Sequence, residues 1–382
     1  MYMSDEDGKM LDGTIGILKH MFEQIRDMPI DEAMRNLSDL GEEKIRRYSR
    51  KDRKDTMLID VVAEDAISIG DGFSGHLDYM LRIYNQTGVI ITEECGRMPR
   101  EIKIEHNTPT IISDPIDGSS YFEDIMARHK ENTKTVGKAF DIERETVGEK
   151  QAKRHACNTS VTLIKDNTIK YSVVLNLMTG DVFIGYPKGV FTGDIITAGS
   201  LKDISKPVCF ADPENMSMLC YTRPGRYENN RKGTHLRFFP LHEHSSLATG
   251  PIGPLRFTYI TKIDGTDDYD IGIIAHNGEK IQEALPNIAM ALFSKDQLKA
   301  YKLFCDPDNI EARGGKVLTP NLANSLYSDG LIMNTGIKST FLNNYDYPSE
   351  FRDTTAIFSS KNDAALTMFT GMVDRNYAVR IV

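Results

Sequence analysis

Two aspartates follow an apolar run in the stretch TIISDPIDGSSYFED, residues 110–124. Asp114 and Asp117 are three positions apart, and no Lys or Arg beside them neutralises their charge. A hard divalent cation such as Mg²⁺ prefers a few carboxylate oxygens together with water and phosphate oxygens. Because Pro115 presets the backbone for a turn, we predict that a turn directs both carboxylates to one side of a loop.

The residues after these acids favour an anion site. Gly118 relieves crowding, and the two serines that follow suit the start of a helix, where free N–H groups bind phosphate. A short motif of this kind is by itself often only a polar turn. Three further features point to a site: the pair Glu93–Glu94 after the preceding strand, Asp60 and Glu64 on an upstream helix, and HNGEKIQE at the start of a later helix.

Hydrophobic spacing indicates the elements that hold these residues. We predict helices over residues 13–28 and 31–47, from residue 58 onward, and over 278–304. Buried strands are expected in GVIITEECG and TIISDPIDG, and turn signals near residues 165–167 and 179–180 predict an antiparallel meander over 158–191. This mixture predicts an α+β or layered α/β/α protein. The segment 192–207 has weaker secondary-structure signals and is the expected domain boundary. It suggests an N-terminal metal and phosphate domain, 1–205, and a substrate-side domain, 206–382.

Composition limits the partners of the chain. The 382 residues carry a formal charge of −9, which disfavours nucleic acid as the main partner. The five cysteines are widely spaced and form no CxxC pair, so a reducing cytoplasm is the expected location. The acidic first ten residues do not suggest a secretory signal, and no stretch is apolar enough to predict a membrane span.

These motifs resemble a known family. DPIDGSS after an apolar strand, preceded by ITEECG, is similar to the lithium-sensitive phosphomonoesterase superfamily, which includes inositol monophosphatases, fructose-1,6-bisphosphatases and 3′-phosphoadenosine phosphatases. IDVVAEDAI resembles the upstream helix of the archaeal-type inositol monophosphatase/fructose bisphosphatase branch, and VVLNLMTGDVFIGYPKGVF resembles the family hairpin. The resemblance covers residues 50–305 and implies a layered α-β-α-β-α sandwich of the sugar phosphatase type.

The resemblance also implies roles, residue by residue, in a site with two or three Mg²⁺ ions, or Mn²⁺. Asp114 would bridge two metals, and Asp117 would bind the second. Ser119, where the family usually has Thr, would pair with Asp60 to activate water. The remaining implied positions are Glu93 as a first-metal ligand that orients the water, the carbonyl of Ile116 as a ligand of that metal, and the amides of Gly118 and Ser119 as the phosphate site.

The second half of the chain departs from the family pattern. The family has a metal aspartate in a Trp-Asp segment, and this chain has no Trp. The best match is residues 277–291, where Glu279, or less well Glu283, would be the ligand. Arg256, in GPIGPLRF, is a candidate substrate contact. The charged segment 124–155 is longer than usual, and we expect a surface excursion near the site.

Three functions remain open at this stage. A Mg²⁺-dependent hydrolase of a small sugar or polyol phosphate, such as inositol monophosphate or fructose 1,6-bisphosphate, agrees best with the acid set. A nucleotide phosphatase of the 3′-phosphoadenosine 5′-phosphate type is an alternative, and so is a non-catalytic relative that binds metal and phosphate. By resemblance we also expect a homodimer or homotetramer.

Overall fold

The computed structural model describes residues 3–36, 56–70, 75–92, 95–148, 157–166 and 168–208. It also describes, between residues 218 and 360, seven short strands and four helical positions, Leu285, Pro286, Ala289 and Phe293.

The first helix, α1, begins earlier than its apolar spacing predicts, and spans Asp5–Asp27. The hydroxyl of Ser4 accepts a hydrogen bond from the amide of Asp7 at 3.1 Å, and the Asp7 carboxylate accepts one from the amide of Ser4 at 3.3 Å. This reciprocal capping fixes the start of the helix.

The predicted helix over 31–47 is confirmed for residues 31–33 and wrong for residues 34–36. A single helical turn, α2, spans Ile30–Ala33, and Asn36 then pairs with Met57 in an isolated β-bridge. The carbonyl of Arg35 accepts a hydrogen bond of 2.8 Å from the amide of Leu58. The chain therefore leaves the helix to pair with the segment that precedes residue 58; residues 37–47 lie outside the described residues.

The helix α3 spans Leu58–Ser68 and is buried almost all round. Ile59, Ala63 and Ile67 belong to the main core, and Leu58 and Val61 pack with Cys95 in a second cluster. The helix α4, His76–Tyr84, follows it and packs against α1. The acids of α3 are consequently enclosed by protein, whereas the sequence pattern placed them on a polar flank.

An eight-stranded sheet holds the candidate site. Its order is β2-β1-β3-β4-β5-β6-β7-β8. Strand β1 pairs with β3 in parallel, and the other pairs are antiparallel. The strands are β1 Val89–Thr92, β2 Gly96–Met98, β3 Thr110–Asp117, β4 Asn158–Lys165, β5 Thr168–Asn176, β6 Asp181–Tyr186, β7 Gly189–Asp194 and β8 Lys206–Pro207.

The predicted meander is confirmed by β4 to β7, which are neighbours in chain order. Its two predicted turns contain Asp166 at φ 56° and Gly180 at φ 80°. Strand β8, just past the proposed boundary at residue 205, still pairs with β7. The division into two domains stays a prediction.

The segment 124–155 is not the surface excursion that its charge predicts, as far as it is described. It contributes to α5, Ser119–His129, and forms α6, Val136–Val147. Val136, Ala139 and Phe140 are fully buried in the main core. The ring of Phe140 packs edge to face on that of Phe122, with centroids 5.9 Å apart. The apolar face of α6 therefore packs into the core, although the segment carries many charges.

A five-stranded sheet with the order β10-β9-β13-β15-β14 lies further along the chain. The predicted helix over 278–304 is wrong at its end, because β14 occupies residues 300–304 and pairs with β15. Leu285, Ala289 and Phe293 are helical and buried, at the four-residue spacing of one helix face. The strands are β9 Met218–Thr222, β10 Leu247–Thr249, β13 Ile273–Ala275, β14 Ala300–Phe304 and β15 Ala356–Ser360, with β11 Thr261–Lys262 and β12 Tyr269–Asp270 as a separate pair.

The α+β class is confirmed: mixed β-sheet is combined with packed helices. None of the helices that the structure describes is both long and apolar enough to cross a membrane.

Candidate metal and phosphate site

Strand β3 contains a bulge between its two aspartates. Asp114 pairs with Ser160 of β4, and Asp117 pairs with Asn158. Three steps along β3 therefore match two steps along β4, so β3 carries one extra residue. Because Ser160 and Asn158 are two positions apart on their strand, they share a face of the sheet. The bulge places Asp114 and Asp117 on that same face.

Pro115 lies in this bulge and not in a turn, because the strand continues to Asp117. The predicted turn is therefore wrong, and a bulge brings the two acids to one side. Proline has no N–H to give to a ladder, so a bulge is one of the few sheet positions that accept it. The buried hydroxyl of Thr159 donates a hydrogen bond of 2.6 Å to the Pro115 carbonyl and holds the bulge in place.

The atoms of this segment that could bind a cation are hard oxygens. Asp114 is 1% exposed, and Asp117 is half-buried. The backbone carbonyl of Ile116 lies between them in the chain. Two carboxylates and a carbonyl suit Mg²⁺ or Mn²⁺ and do not suit a soft metal. A divalent cation here would also offset the cost of burying the carboxylate charge.

The start of α5 follows the acids directly. Gly118 is its N-cap and has φ 89°, a left-handed conformation that glycine adopts without strain. No side chain of the described residues caps this helix start, and the amides of Tyr121 and Phe122 donate to the Gly118 carbonyl at 2.9 and 3.0 Å. The first amides of α5 are therefore not occupied by a capping side chain, which is the arrangement that binds an anion.

Asp60 and Glu64 are two buried acids of α3. Asp60 is 8% exposed and accepts a hydrogen bond of 3.0 Å from the amide of Met57. Glu64 is 1% exposed and accepts hydrogen bonds from Thr92, the last residue of β1, and from Ser68 at 3.3 Å. The Glu64 contact fixes α3 against the strand that leads to Glu93.

Cys157 lies next to the start of α5. Its buried thiol donates a hydrogen bond of 3.6 Å to the Gly118 carbonyl. Burial raises the pKa of Cys157, and the negative charges of Asp117 and then Asp60 raise it further. The thiol thus stays protonated and non-nucleophilic.

Other predicted site residues lie outside the described part of the chain: Glu93, Arg256, Glu279 and Glu283. Among the described residues, no group of three or more His, Cys, Asp and Glu side chains is arranged to hold a metal ion. The pairing of Ser119 with Asp60 stays a prediction.

Comparison with solved structures shows which proteins this chain resembles in fold. The suhB extragenic suppressor protein of Bartonella henselae aligns with 97% of this chain and 98% of its own, at TM-score 0.50 and 10% identity. The chain has the fold of that protein. A Pyrococcus horikoshii hypothetical protein, described as similar to inositol-1 monophosphatase, covers 94% of both chains at TM-score 0.47 and 13% identity. A Thermotoga maritima IMPase covers 97% and 100% at TM-score 0.47 and 9% identity.

No protein-family model and no curated protein matches the sequence. The likeness that the comparisons show is therefore one of fold.

Two functional contacts were not predicted from the sequence. Thr159 supports the bulge from the neighbouring strand, 44 positions away, and Glu143 on α6 bonds to three side chains of α5. Neither residue lies in a motif. Thr159 is a polar residue within an apolar strand, and Glu143 lies among other charged residues, so neither stands out in the sequence.

Proposed function

We propose that the protein is a Mg²⁺-dependent phosphomonoesterase that hydrolyses a small sugar or polyol phosphate. The observation that carries the proposal is the bulge in β3. It puts Asp114 and Asp117 on one face of the sheet, immediately before a helix start without a capping side chain. Cation ligands and an anion site then adjoin each other within five residues, which suits a phosphate ester bound through a metal.

The register of the sheet supports Glu93 as a further ligand. Thr92 pairs with Ser113 in the parallel register of β1 and β3. The next residues in the two chains are Glu93 and Asp114. The carboxyl ends of parallel strands meet at one edge of a sheet, and ligands bind there in many α/β proteins. Glu279 would complete the set from the second half of the chain.

Each residue then has a task. Asp114, Asp117 and the Ile116 carbonyl would hold the cations, and the amides of Gly118 and Ser119 would orient the phosphate. Asp60 and the Ser119 hydroxyl would position a water and accept its proton. A bound divalent cation supplies charge stabilisation to the phosphoryl oxygens and the leaving alkoxide. The protein otherwise contributes position.

A substrate panel tests the proposal. Phosphate release is measured with and without Mg²⁺ from inositol-1-phosphate, fructose 1,6-bisphosphate, 3′-phosphoadenosine 5′-phosphate and p-nitrophenyl phosphate. We expect Mg²⁺-dependent release from one of the first two. Preference for the nucleotide would favour the nucleotide phosphatase. If no ester is hydrolysed while Mg²⁺ and phosphate bind, the chain is the non-catalytic relative.

A further inference from the structure

Glu143 is a buried carboxylate in the middle of α6, and its side chain is 4% exposed. One oxygen, Oε1, accepts hydrogen bonds from the Tyr121 hydroxyl at 3.3 Å and from Nη2 of Arg128 at 2.6 Å. The other, Oε2, accepts one from Nε2 of His129 at 2.7 Å. A single carboxylate thus binds three donors, and all three belong to α5.

The three donors lie at both ends of α5. Tyr121 is in its first turn, two residues after Ser119, and Arg128 and His129 are in its last turn. Positions seven residues apart lie on the same helix face, so Glu143 holds both ends of one face. Burial and then the charge of Glu143 raise the pKa of Tyr121, so its hydroxyl stays protonated and donates.

The helix α6 is itself fixed to the core through α1. The amide of Val136 donates to the Met28 carbonyl at 3.0 Å, and the amide of Ile30 donates to the Lys134 carbonyl at 2.9 Å. Gly137 packs so closely that a Cβ there would lie 2.9 Å from the Arg26 carbonyl oxygen. The backbone around residue 136 has little room to move, and Glu143 extends this rigid support to α5.

We infer that Glu143 is a positioning residue for the turn at Gly118 and Ser119, here called the phosphate turn. This inference rests on the proposed function. The amides of Gly118 and Ser119 bind an anion well only if α5 keeps its direction, since small displacements of a binding group cost much of its effect. Glu143 restrains α5 at Tyr121, next to those amides. The segment that looks like a charged excursion in the sequence thereby supports the site.

The test replaces Glu143 by Gln in the full-length protein, with Glu145→Gln as the matched control, because Glu145 is exposed on the same helix. Calorimetry measures the affinity for inorganic phosphate at saturating Mg²⁺, and urea unfolding measures stability. Loss of a residue that orients a metal ligand commonly costs about tenfold or more in metal affinity or activity, and we expect an effect of similar size here. We expect phosphate to bind about tenfold more weakly to Glu143→Gln and unchanged to Glu145→Gln.

Hydrogen exchange gives a readout that does not depend on the proposed function. We expect faster exchange of the Tyr121 and Phe122 amides in Glu143→Gln than in the control. Lower stability with unchanged phosphate affinity and unchanged exchange at these amides would overturn the inference.

If the unaltered protein binds no phosphate, the proposed function fails. The exchange data then decide whether Glu143 holds the turn. Should Glu143→Gln not fold, Tyr121→Phe, which removes a single donor, is subjected to the same measurements.

Discussion

Asp114 and Asp117 lie on the same face of the central sheet, although they are three residues apart on one strand. In a regular strand they would point to opposite faces. The extra residue in the bulge interrupts the alternation of side chains between the two faces, and so makes a shared cation site possible. The same device explains why a proline is tolerated inside this strand.

Replacement of Asp114 by Asn tests the cation site. The amide keeps the shape of the side chain and removes the negative charge that would hold the cation. We expect Mg²⁺-dependent phosphate release to fall about a thousandfold or more, because several kcal/mol of charge stabilisation are lost. The matched control is Asp124→Asn, since Asp124 is exposed on α5. Full activity in Asp114→Asn would exclude this residue as a ligand.

Replacement of Thr159 by Val tests the support of the bulge. The variant leaves the buried Pro115 carbonyl without the hydroxyl that donates to it. An orphaned buried acceptor costs about 1–3 kcal/mol of unfolding free energy. We expect a loss of this size by urea unfolding, together with weaker Mg²⁺ binding by calorimetry.

The control for the bulge is Thr162→Val on the same strand, where the hydroxyl bonds to Ser172 at 2.8 Å. This variant should lose stability and keep its Mg²⁺ affinity. Equal Mg²⁺ affinities in the two variants would mean that the bulge does not shape the cation site.

Replacement of Gly118 by Ala tests the phosphate turn. At φ 89° a Cβ is strained by about 1–2 kcal/mol. The control is Gly148→Ala, where φ is 79° and no atom of the described part of the chain lies within 4 Å of the added Cβ. Both variants should lose stability on urea unfolding, whereas only Gly118→Ala should bind inorganic phosphate more weakly. Equal phosphate affinities would argue against an anion site at α5.

A buried histidine predicts how stability depends on pH. Nδ1 of His76 lies 2.8 Å from the Ile67 carbonyl, which can only accept, so Nδ1 carries the proton. Nε2 lies 3.1 Å from the hydroxyl of Thr14, which is 2.7 Å from that of Tyr171. Burial lowers the pKa of His76 from 6.5 to about 4, against the opposing effect of the Ile67 hydrogen bond.

Between these two pKa values the unfolded chain binds a proton that the folded chain does not bind. The stability from neutral His76 is therefore complete above pH 6.5 and decreases as pH falls toward 4, by at most about 1.4 kcal/mol per pH unit. Urea unfolding across this range measures the slope. His76→Gln should flatten it. An unchanged slope in His76→Gln would assign the pH dependence to other groups.

The strands and turns near the site could be predicted because their signals are local. An apolar β-branched run indicates β3, and a Thr-Gly turn with φ 80° at Gly180 closes the hairpin after β5. The helix start after Gly118 was also correctly predicted. The extents of two predicted helices were not, because pairing of Asn36 with Met57 and of β14 with β15 overrides local propensity.

The sequence by itself determined which residues can do chemistry: adjacent acids, a glycine and serines after an apolar strand. Only the tertiary structure decided how they meet. A bulge depends on register with β4, and the support from Thr159 and Glu143 comes from residues 44 and 22 positions away from their partners Pro115 and Tyr121. The chemical type of a side chain determines whether it can bind a cation or accept a hydrogen bond. Its burial and its strand register depend on packing between segments that are distant in the chain.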